Sequence, residues 1–323
     1  MKKFSNKQTG ILSSSDLKTV KGNCLYWLFF VVLVVIAMLS IIPAIWTVCT
    51  AFKDTQEIYA GFSFFPKNLT FHKAIQMIAT SWKKLQLGKS IIYTIILSIG
   101  QLVFNVVVCG FCGYVLSKLK PKGTTLVLTL VVWTMMMPSQ IRLVPNYITY
   151  LHFPFAYDFG VGVNLLDTFW PMWLVAGADS FAILLFKNAF DGLSNFYVEA
   201  AKIDGCSNYG VFFKIMLPLV SPILIYQAIG VLSGAWSEFF MPLLIFDEIE
   251  VVPLKVFRLK SDSSIKMNTY FMALVFSSVP PFLIFAVFQK RILGGINIGG
   301  VKGKFYYLEQ QCAGVALFNG GKL

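Results

Sequence analysis

Two carboxylates stand inside stretches of the sequence that contain no other charged residue: Asp179 within residues 168–186 and Glu238 within residues 215–246. A charged side chain at the centre of a membrane helix costs about 2.5–3.5 kcal/mol on insertion scales, so such a group marks a cavity or a buried partner. Carboxylate hydrogen bonds and aromatic stacking together suit a hydroxyl-rich solute, and Trp236 stands beside Glu238. The candidates for lining a path for such a solute are Glu238, Trp236, Asp179, Asn105 and Trp133.

Each of these candidates also has a structural interpretation. Tryptophan is enriched at membrane–water interfaces, and Glu238 can lie near the same interface. Polar and aromatic side chains such as Asn105 and Trp133 are common where membrane helices pack together. The sequence leaves both interpretations open.

Two further motifs are interpreted as structural. Gly88-Lys89-Ser90 resembles the end of a phosphate-binding loop, but the first glycine of that loop should stand at position 83, which is Lys83. Cys109 and Cys112 form a C-x-x-C inside an apolar stretch with no second pair and no histidine nearby, and small apolar packing residues are the simpler interpretation. No metal site and no catalytic site are expected in this chain.

Residues 194–218 form the most informative segment, and local signals in it predict a helix, a break and a second helix. Ser194 or Asn195 can cap the first helix, Gly205 suits the left-handed position that ends it, and Ser207 can cap the second. Apolar residues at 196, 197 or 198, 200 or 201, and 203 are expected to form one apolar face, with the charged residues of the helix elsewhere. Such a hairpin is typical of a docking element, and a helix lying on the lipid surface is the alternative.

The elements that must position these residues are membrane helices. Hydrophobic residues make up 57% of the chain and charged residues 13%, against about 25% charged in soluble domains, so the chain lacks the polar residues that would cover a soluble fold. About 20 apolar residues are needed to cross a bilayer. Six stretches meet or approach that length, which predicts an all-α polytopic membrane protein with helices at about 25–52, 90–117, 123–144, 168–190, 216–246 and 268–290.

Basic residues in the loops predict the orientation. Lys118, Lys120 and Lys122 crowd one short turn, and Lys290-Arg291 follow the last stretch. These residues favour cytoplasmic N- and C-termini, although the outer segment 53–89 is also rich in lysine. That segment is expected to form a partly folded cap, and residues 142–167 to be irregular or re-entrant.

The 194–218 segment resembles the coupling loop of ABC-importer permeases, which has the spacing E-A-A-x3-G-x9-I-x-L-P. The positions that meet this spacing are Glu199, Ala200, Ala201, Gly205, Ile215, Leu217 and Pro218. Asp204 lies between them. Further stretches are similar in order and spacing to carbohydrate-importer permeases of the maltose-type second subunit: Met136-Met-Pro138-x-Gln140, Leu165-Leu-Asp-Thr168, Trp236-Ser-Glu238 through Pro242, Gln289-Lys-Arg and Gly299 through Gly303. Ser237 replaces an asparagine frequent in that family.

The resemblance implies a type I ABC importer permease with a cytoplasmic segment 1–23, a transmembrane domain 24–303 and a tail 304–323 that the family pattern leaves unmatched. It implies a heterodimer with a second permease, two copies of a cytoplasmic ATPase, and an extracellular solute-binding protein, in a bacterial plasma (inner) membrane. ATP and Mg would be bound by the ATPase, with no cofactor in this chain. The coupling residues would be those of the spacing above together with Asp204.

Three other functions are weighed against this one. A secondary transporter needs ionisable residues deep in several helices and often an inverted repeat; only Asp179 qualifies, and no repeat is visible. A membrane enzyme needs a cluster of His, Asp or Ser at one interface, which is absent from the sequence. A permease for a solute other than a sugar stays open. The net charge of +12 is spread along the loops and does not indicate nucleic acid.

Overall fold

The computed structural model describes residues 20–154 and 162–293, and every regular element in them is helical. The helices, numbered in chain order, are α1 Val20–Ala51, α2 Thr55–Tyr59, α3 Phe71–Leu85, α4 Leu87–Leu119, α5 Thr124–Met136, α6 Leu143–Leu151, α7 Trp170–Gly177, α8 Ser180–Asp191, α9 Phe196–Ile203, α10 Asn208–Leu219, α11 Ser221–Ala235, α12 Phe240–Ile245, α13 Val252–Lys260 and α14 Met267–Leu293. The expected N-terminal segment, up to residue 19, and the expected tail 304–323 lie outside these ranges.

Four stretches are long and apolar enough to cross a membrane by themselves: Gly22–Ala51, Leu87–Leu119, Trp170–Asp191 and Met267–Gln289. Two further candidates are bent pairs, with an angle of 100° between residues 124–136 and 140–151 and of 83° between residues 208–219 and 221–235. In its described residues the protein is therefore an all-helical, multi-pass membrane protein with four candidate spans, or up to six if each bent pair is one span.

The helices differ from their expected bounds where the chain bends. The helix expected at about 123–144 stops at Met136, because Pro138 favours an extended conformation in the residue before it, and Met137 adopts φ −76° and ψ 124°. The helix expected at about 216–246 is interrupted at Val220 and again after Ala235. Apolar runs alone do not reveal such bends.

The chain divides into two units, and the first contains residues up to 85 together with 263–276. In it, Trp46 packs edge-on against Phe271 at 5.4 Å, and Trp82 packs the same way against Phe276. The expected cap within 53–89 contains two helices, α2 and α3. The long helix α1 has almost no buried side chain along its apolar length, as expected of a surface that lipid or another membrane chain covers.

The second unit contains the described residues of 86–262 together with 277–293, and in it α4 packs against α7 and α8. Small residues allow these helices to approach closely, as is usual in membranes. A Cβ on Gly100 would stand 2.1 Å from the Trp173 ring, and a Cβ on Gly113 would stand 2.8 Å from the backbone nitrogen of Lys187. The Trp173 indole also donates a hydrogen bond to the Leu97 carbonyl at 3.2 Å. These contacts fix the register of α4 on both α7 and α8.

We predict that Gly113→Ala destabilises the protein by about 1–3 kcal/mol, the usual cost of overpacking, because the added methyl group meets the backbone of α8. Thermal unfolding of the purified chain in detergent measures this loss. Gly88→Ala is the matched control, since a Cβ there meets nothing within 4 Å. Equal unfolding temperatures for the two variants would contradict the close packing of α4 on α8.

Candidate functional site

Hydrogen bonds at both ends of its first helix shape the 194–218 segment. The Ser194 hydroxyl accepts from the Phe196 N–H at 3.2 Å. At the other end, Gly205 adopts φ +78°, its N–H donates to the Lys202 carbonyl, and the Cys206 N–H donates to the Ala201 carbonyl. This pair of bonds is a Schellman motif, which favours glycine at the left-handed position. The predicted break at Gly205 is confirmed.

The second helix of the segment, α10, also starts as predicted. The Ser207 hydroxyl accepts from the Gly210 N–H at 3.2 Å, which satisfies one of the donors left open at a helix start. The helix then continues through Ile215 and Leu217, both partly buried against the core, to an exposed Pro218. The segment is thus a short helical hairpin with a defined turn.

The prediction of a single apolar face on α9 is wrong. An α-helix turns about 100° per residue, which places Phe196 and Ile203 on the same side as Glu199, and Val198 and Ala201 on the opposite side. Val198 and Ala201 are buried in the core, whereas Phe196 is 67% exposed and Ile203 is 86% exposed.

The residues of the E-A-A-x3-G motif and Asp204 differ in how far they are exposed. Glu199, Asp204 and Gly205 are exposed, Ala200 is half-buried, and Ala201 is buried. Ala201 is therefore small because it packs against its own chain. Sequence reasoning missed the exposed Tyr209, whose ring stacks on Phe111 at 5.1 Å.

Hydrogen bonds from Lys118, at the end of α4, anchor the hairpin, and Asp191 joins the ends of α4 and α8 beside it. Asp191 accepts a hydrogen bond from the Ser117 hydroxyl at 2.6 Å and pairs with Lys187 at 2.5 Å. Lys118 donates to the Leu193 carbonyl at 2.6 Å and to the Asn195 side chain at 3.0 Å. Charge-assisted bonds of this kind are roughly twice as strong as neutral ones, so the hairpin is tied firmly to two long helices.

Aromatic packing reinforces this anchor. Phe186, Phe190 and Phe212 have no exposed surface, and they surround Tyr114 of α4 in one cluster with Met216 of α10. A displacement of the hairpin must therefore move these helices with it or open a densely packed core, and opening such a core is costly.

A cavity of about 620 Å³ lies among α4, α5, α7, α8 and α11 of the second unit. Two of the five candidate path residues, Asn105 and Asp179, line it. Trp133, Trp236 and Glu238 do not, although Thr134 and Ala235 beside them do. The carboxylate of Glu238 instead accepts from the Phe240 and Met241 N–H groups and caps α12.

The two candidates in the cavity also hold its wall together. Asp179 caps α8 by accepting from the Phe181 N–H at 2.9 Å. Asn105 is 1% exposed, donates to the Ala176 carbonyl at 3.1 Å, and accepts from the Gln227 amide at 3.2 Å. These bonds satisfy backbone groups at the junction of α7 and α8, as buried polar groups require.

Sequence reasoning missed several other lining residues. Gln101 stands one helical turn before Asn105 on α4, and Gln227, Gly230 and Gly234 follow one face of α11. An i, i+4 pair of amides in an apolar helix is a signal that could have identified the first of these. Arg142 also lines the cavity, and its side chain makes no hydrogen bond or ion pair within the described residues.

Residues 246–258 form a second polar element, the platform, which is built on Asp167. The Asp167 carboxylate accepts from three successive N–H groups, those of Asp247, Glu248 and Ile249, at 3.1–3.2 Å. Asp167 has φ +53°, and its own N–H donates to the Ile245 carbonyl. The Leu165-Leu-Asp-Thr168 motif therefore has a structural role in holding the platform.

A charged triad completes the platform. Glu250 pairs with Lys255 at 2.5 Å and with Arg258 at 3.3 Å. Partial burial acts to raise the pKa of Glu250, but the hydrogen bonds and charges of Lys255 and Arg258 outweigh it and hold the pKa below its ordinary value of 4.5. Both basic residues are therefore paired within the platform, and the triad has a net charge of +1.

Comparison with known proteins places the chain in a family of transporters. Residues 109–298 match the family described as binding-protein-dependent transport system inner membrane component. This range contains the whole 194–218 segment, the platform and most of the residues that line the cavity.

Curated relatives cover nearly the full length of the chain. It is 27% identical over 295 residues to the arabinooligosaccharides transport system permease protein AraQ of Halalkalibacterium halodurans, covering 89% of this chain and 100% of that protein. It is 25% identical over 271 residues to the diacetylchitobiose uptake system permease protein NgcG of Streptomyces coelicolor, covering 83% of this chain and 86% of that protein.

A solved structure shares the fold. A chain of a bacterial ABC transporter involved in the import of the acidic polysaccharide alginate superposes with a TM-score of 0.68 at 20% sequence identity, and the match covers 87% of this chain and 99% of that one. At this identity, the likeness concerns the fold alone.

We predict that the Glu250 triad makes the platform less stable in acid. Because the folded pKa is lowered, the triad contributes stability above the unfolded value of 4.5, and this contribution is lost as the pH falls through the folded pKa. Hydrogen exchange of peptides from residues 246–260, measured from neutral pH to below 4.5, should show this loss in the wild type and a flatter profile in Glu250→Gln.

Glu248→Gln is the control for this experiment, because Glu248 is exposed and its side chain makes no ion pair within the described residues. Its profile should follow that of the wild type. A Glu250→Gln profile as steep as that of the wild type would show that the triad does not stabilise the platform.

Proposed function

The chain belongs to the family of binding-protein-dependent transport system inner membrane components, and from this membership we propose that it is a permease subunit of an ATP-driven carbohydrate importer. It would form half of the translocation pathway and leave ATP hydrolysis to a separate subunit. The names of AraQ and NgcG support an oligosaccharide as the solute. The observation that carries the proposal is the anchored hairpin 194–218, which presents exposed side chains on a rigid connection to the membrane helices.

We propose six crossings with both termini in the cytoplasm, within a transmembrane domain of residues 24–303. Each bent pair then counts as one span. Lys118, at the end of α4 beside the α4–α5 turn, bonds to the hairpin at Asn195, so this basic turn and the hairpin share one end of the second unit. A cytoplasmic position for that end agrees with the preference of lysine-rich turns for the inside.

The proposed partners are a second permease, two copies of a cytoplasmic ABC ATPase that binds ATP and Mg, and an extracellular solute-binding protein. We assign the exposed face of α9, formed by Phe196, Glu199 and Ile203, to the ATPase. Apolar side chains more than half exposed at the ends of a short helix suit a groove in a partner. Glu199 between them can pair with a basic group there. Asp204 and Gly205 follow this face in the chain.

Coupling follows from the anchor. Closure of the ATPase dimer on ATP would displace the hairpin, and the Lys118–Asn195 bond together with the shared aromatic core would transmit that displacement to α4 and α8. Asp179 and Asn105, on the same two helices, line the cavity. A rigid-body rotation of this helix pair would change access to the cavity, which is a common form of switching transition.

The cavity lining suits a sugar and favours an acidic one. Gln101, Asn105 and Gln227 supply amides for hydroxyl groups, and Asp179 is engaged in capping α8. Lys255 and Arg258 of the platform are paired with Glu250. The side chain of Arg142, in contrast, lines the cavity and has no partner in the described residues. An uncompensated guanidinium would hold a carboxylate of the solute.

We predict that Glu199→Arg and Ile203→Glu abolish ATP-driven uptake while leaving the fold intact, because both side chains are exposed and would disrupt docking. Uptake of a labelled oligosaccharide into proteoliposomes holding the full transporter measures the loss, and unfolding temperature reports the fold. Lys260→Glu, an exposed change two residues after the platform, is the control. Normal uptake by either hairpin variant would disprove the docking assignment.

Crosslinking gives a second test of the same surface. A cysteine at Ile203 should form a crosslink with the ATPase, whereas a cysteine at Lys260 should not. If a cysteine at position 203 reacted with membrane-impermeant reagents added outside intact cells, the hairpin would lie on the extracellular side of the membrane. That result would contradict the proposal.

We predict that Arg142→Gln lowers the uptake of an anionic trisaccharide such as trigalacturonate about ten-fold or more, the usual size of a lost charged hydrogen bond. Arg142→Lys should retain most of the uptake, and uptake of neutral maltotriose should not change. Equal effects on both sugars would contradict an acidic substrate and leave the permease assignment standing.

A further inference from the structure

A separate cavity of about 560 Å³ lies at the turn between α4 and α5, against the end of α8; we call it the turn cavity. Helix α4 ends at Leu119, α5 begins at Thr124 and α8 ends at Asp191. Three helices that carry candidate spans therefore end beside it. Such a position corresponds to the headgroup region of a bilayer, which borders the hydrocarbon.

The turn cavity is lined by both apolar and charged side chains. Leu116 and Leu128 are among the apolar ones, and Lys120, Lys187 and Asp191 are the charged ones. Lys187 is paired with Asp191 at 2.5 Å, so this pair contributes no net charge. The side chain of Lys120 makes no ion pair or hydrogen bond within the described residues, and the three charged side chains together give the cavity a net charge of +1.

The backbone at Lys120 supports a role for its side chain. Lys120 ends α4 in the left-handed conformation, with φ +45°, where glycine is strongly favoured because a Cβ is strained there. Gly123 stands three residues later and adopts φ +93°. A lysine at a position that favours glycine costs stability, and such strain is common where a side chain serves a function.

We propose that the turn cavity binds the phosphate headgroup of an anionic phospholipid. Lys120 would hold the phosphate, and Leu116 and Leu128 would contact the start of the acyl chains. Basic pockets between membrane helices are known to take such headgroups. This binding does not depend on the transport proposal, since it requires only the α4–α5 turn and the end of α8.

The test uses the full chain, co-expressed with its transporter subunits and placed in nanodiscs of phosphatidylethanolamine with or without phosphatidylglycerol. Native mass spectrometry measures the phosphatidylglycerol retained. Lys120→Gln should weaken retention about five-fold, the usual contribution of one basic residue near an anionic surface, and Lys120→Arg should preserve it. Lys122→Gln is the matched control, because Lys122 lies in the same turn and does not line the cavity.

Lys120→Gly separates strain from binding. It should raise the unfolding temperature in phosphatidylethanolamine alone, because the strained backbone is relieved, and should lose the added stability that phosphatidylglycerol gives the wild type. If this variant fails to assemble, the Gln and Arg variants still decide the question.

Three results would overturn the proposal. The first is equal retention of phosphatidylglycerol by the wild type and Lys120→Gln. The second is an equal loss in Lys122→Gln, which would indicate general surface charge. The third is an increase in the unfolding temperature of the wild type by free glycerol phosphate, without phosphatidylglycerol, as large as the increase that phosphatidylglycerol gives. This result would indicate a site for a soluble phosphate ester and not for a lipid.

Discussion

A break in a membrane helix leaves backbone groups that lipid cannot hydrogen-bond, so another part of the protein must satisfy them. At the junction of α7 and α8 this requirement is met by side chains. Asn105 donates to the Ala176 carbonyl, Cys109 contacts the Gly177 carbonyl at 3.1 Å, and Asp179 accepts from the start of α8. The cavity lies beside this junction, so its polar lining and the stability of the broken helix depend on the same residues.

Helices α4 and α8 connect the two ends of the second unit. Asn105, midway along α4, and Asp179, which caps the start of α8, line the cavity. At the other end of the two helices, Asp191 bonds to Ser117, and Lys118 bonds to Asn195 of the hairpin. Gly113 holds the two helices in close contact between these points. A force applied to the hairpin is therefore delivered to the cavity wall through packed helices, as the proposed coupling to an ATPase requires.

Charge is distributed differently in the three polar regions of this unit. In the platform, Lys255 and Arg258 both pair with Glu250, and these ion pairs tie the element together. In the cavity and in the turn cavity, the side chains of Arg142 and Lys120 make no ion pair within the described residues. An uncompensated basic group beside a cavity suits an anionic ligand, and this difference in pairing is the basis of both ligand proposals.

The sequence by itself determined the features that depend on neighbouring residues: the apolar stretches, the left-handed turn at Gly205 and the cap at Ser207. Only the tertiary structure decided which side of α9 faces the core, and that Ala201 is buried while Ile203 is exposed. It also brought Gln227 to Asn105, 122 positions away, and left Trp236 and Glu238 outside the cavity. Caps and turns arise from contacts within a few residues, whereas burial and cavity lining depend on helices that meet only after the chain has folded.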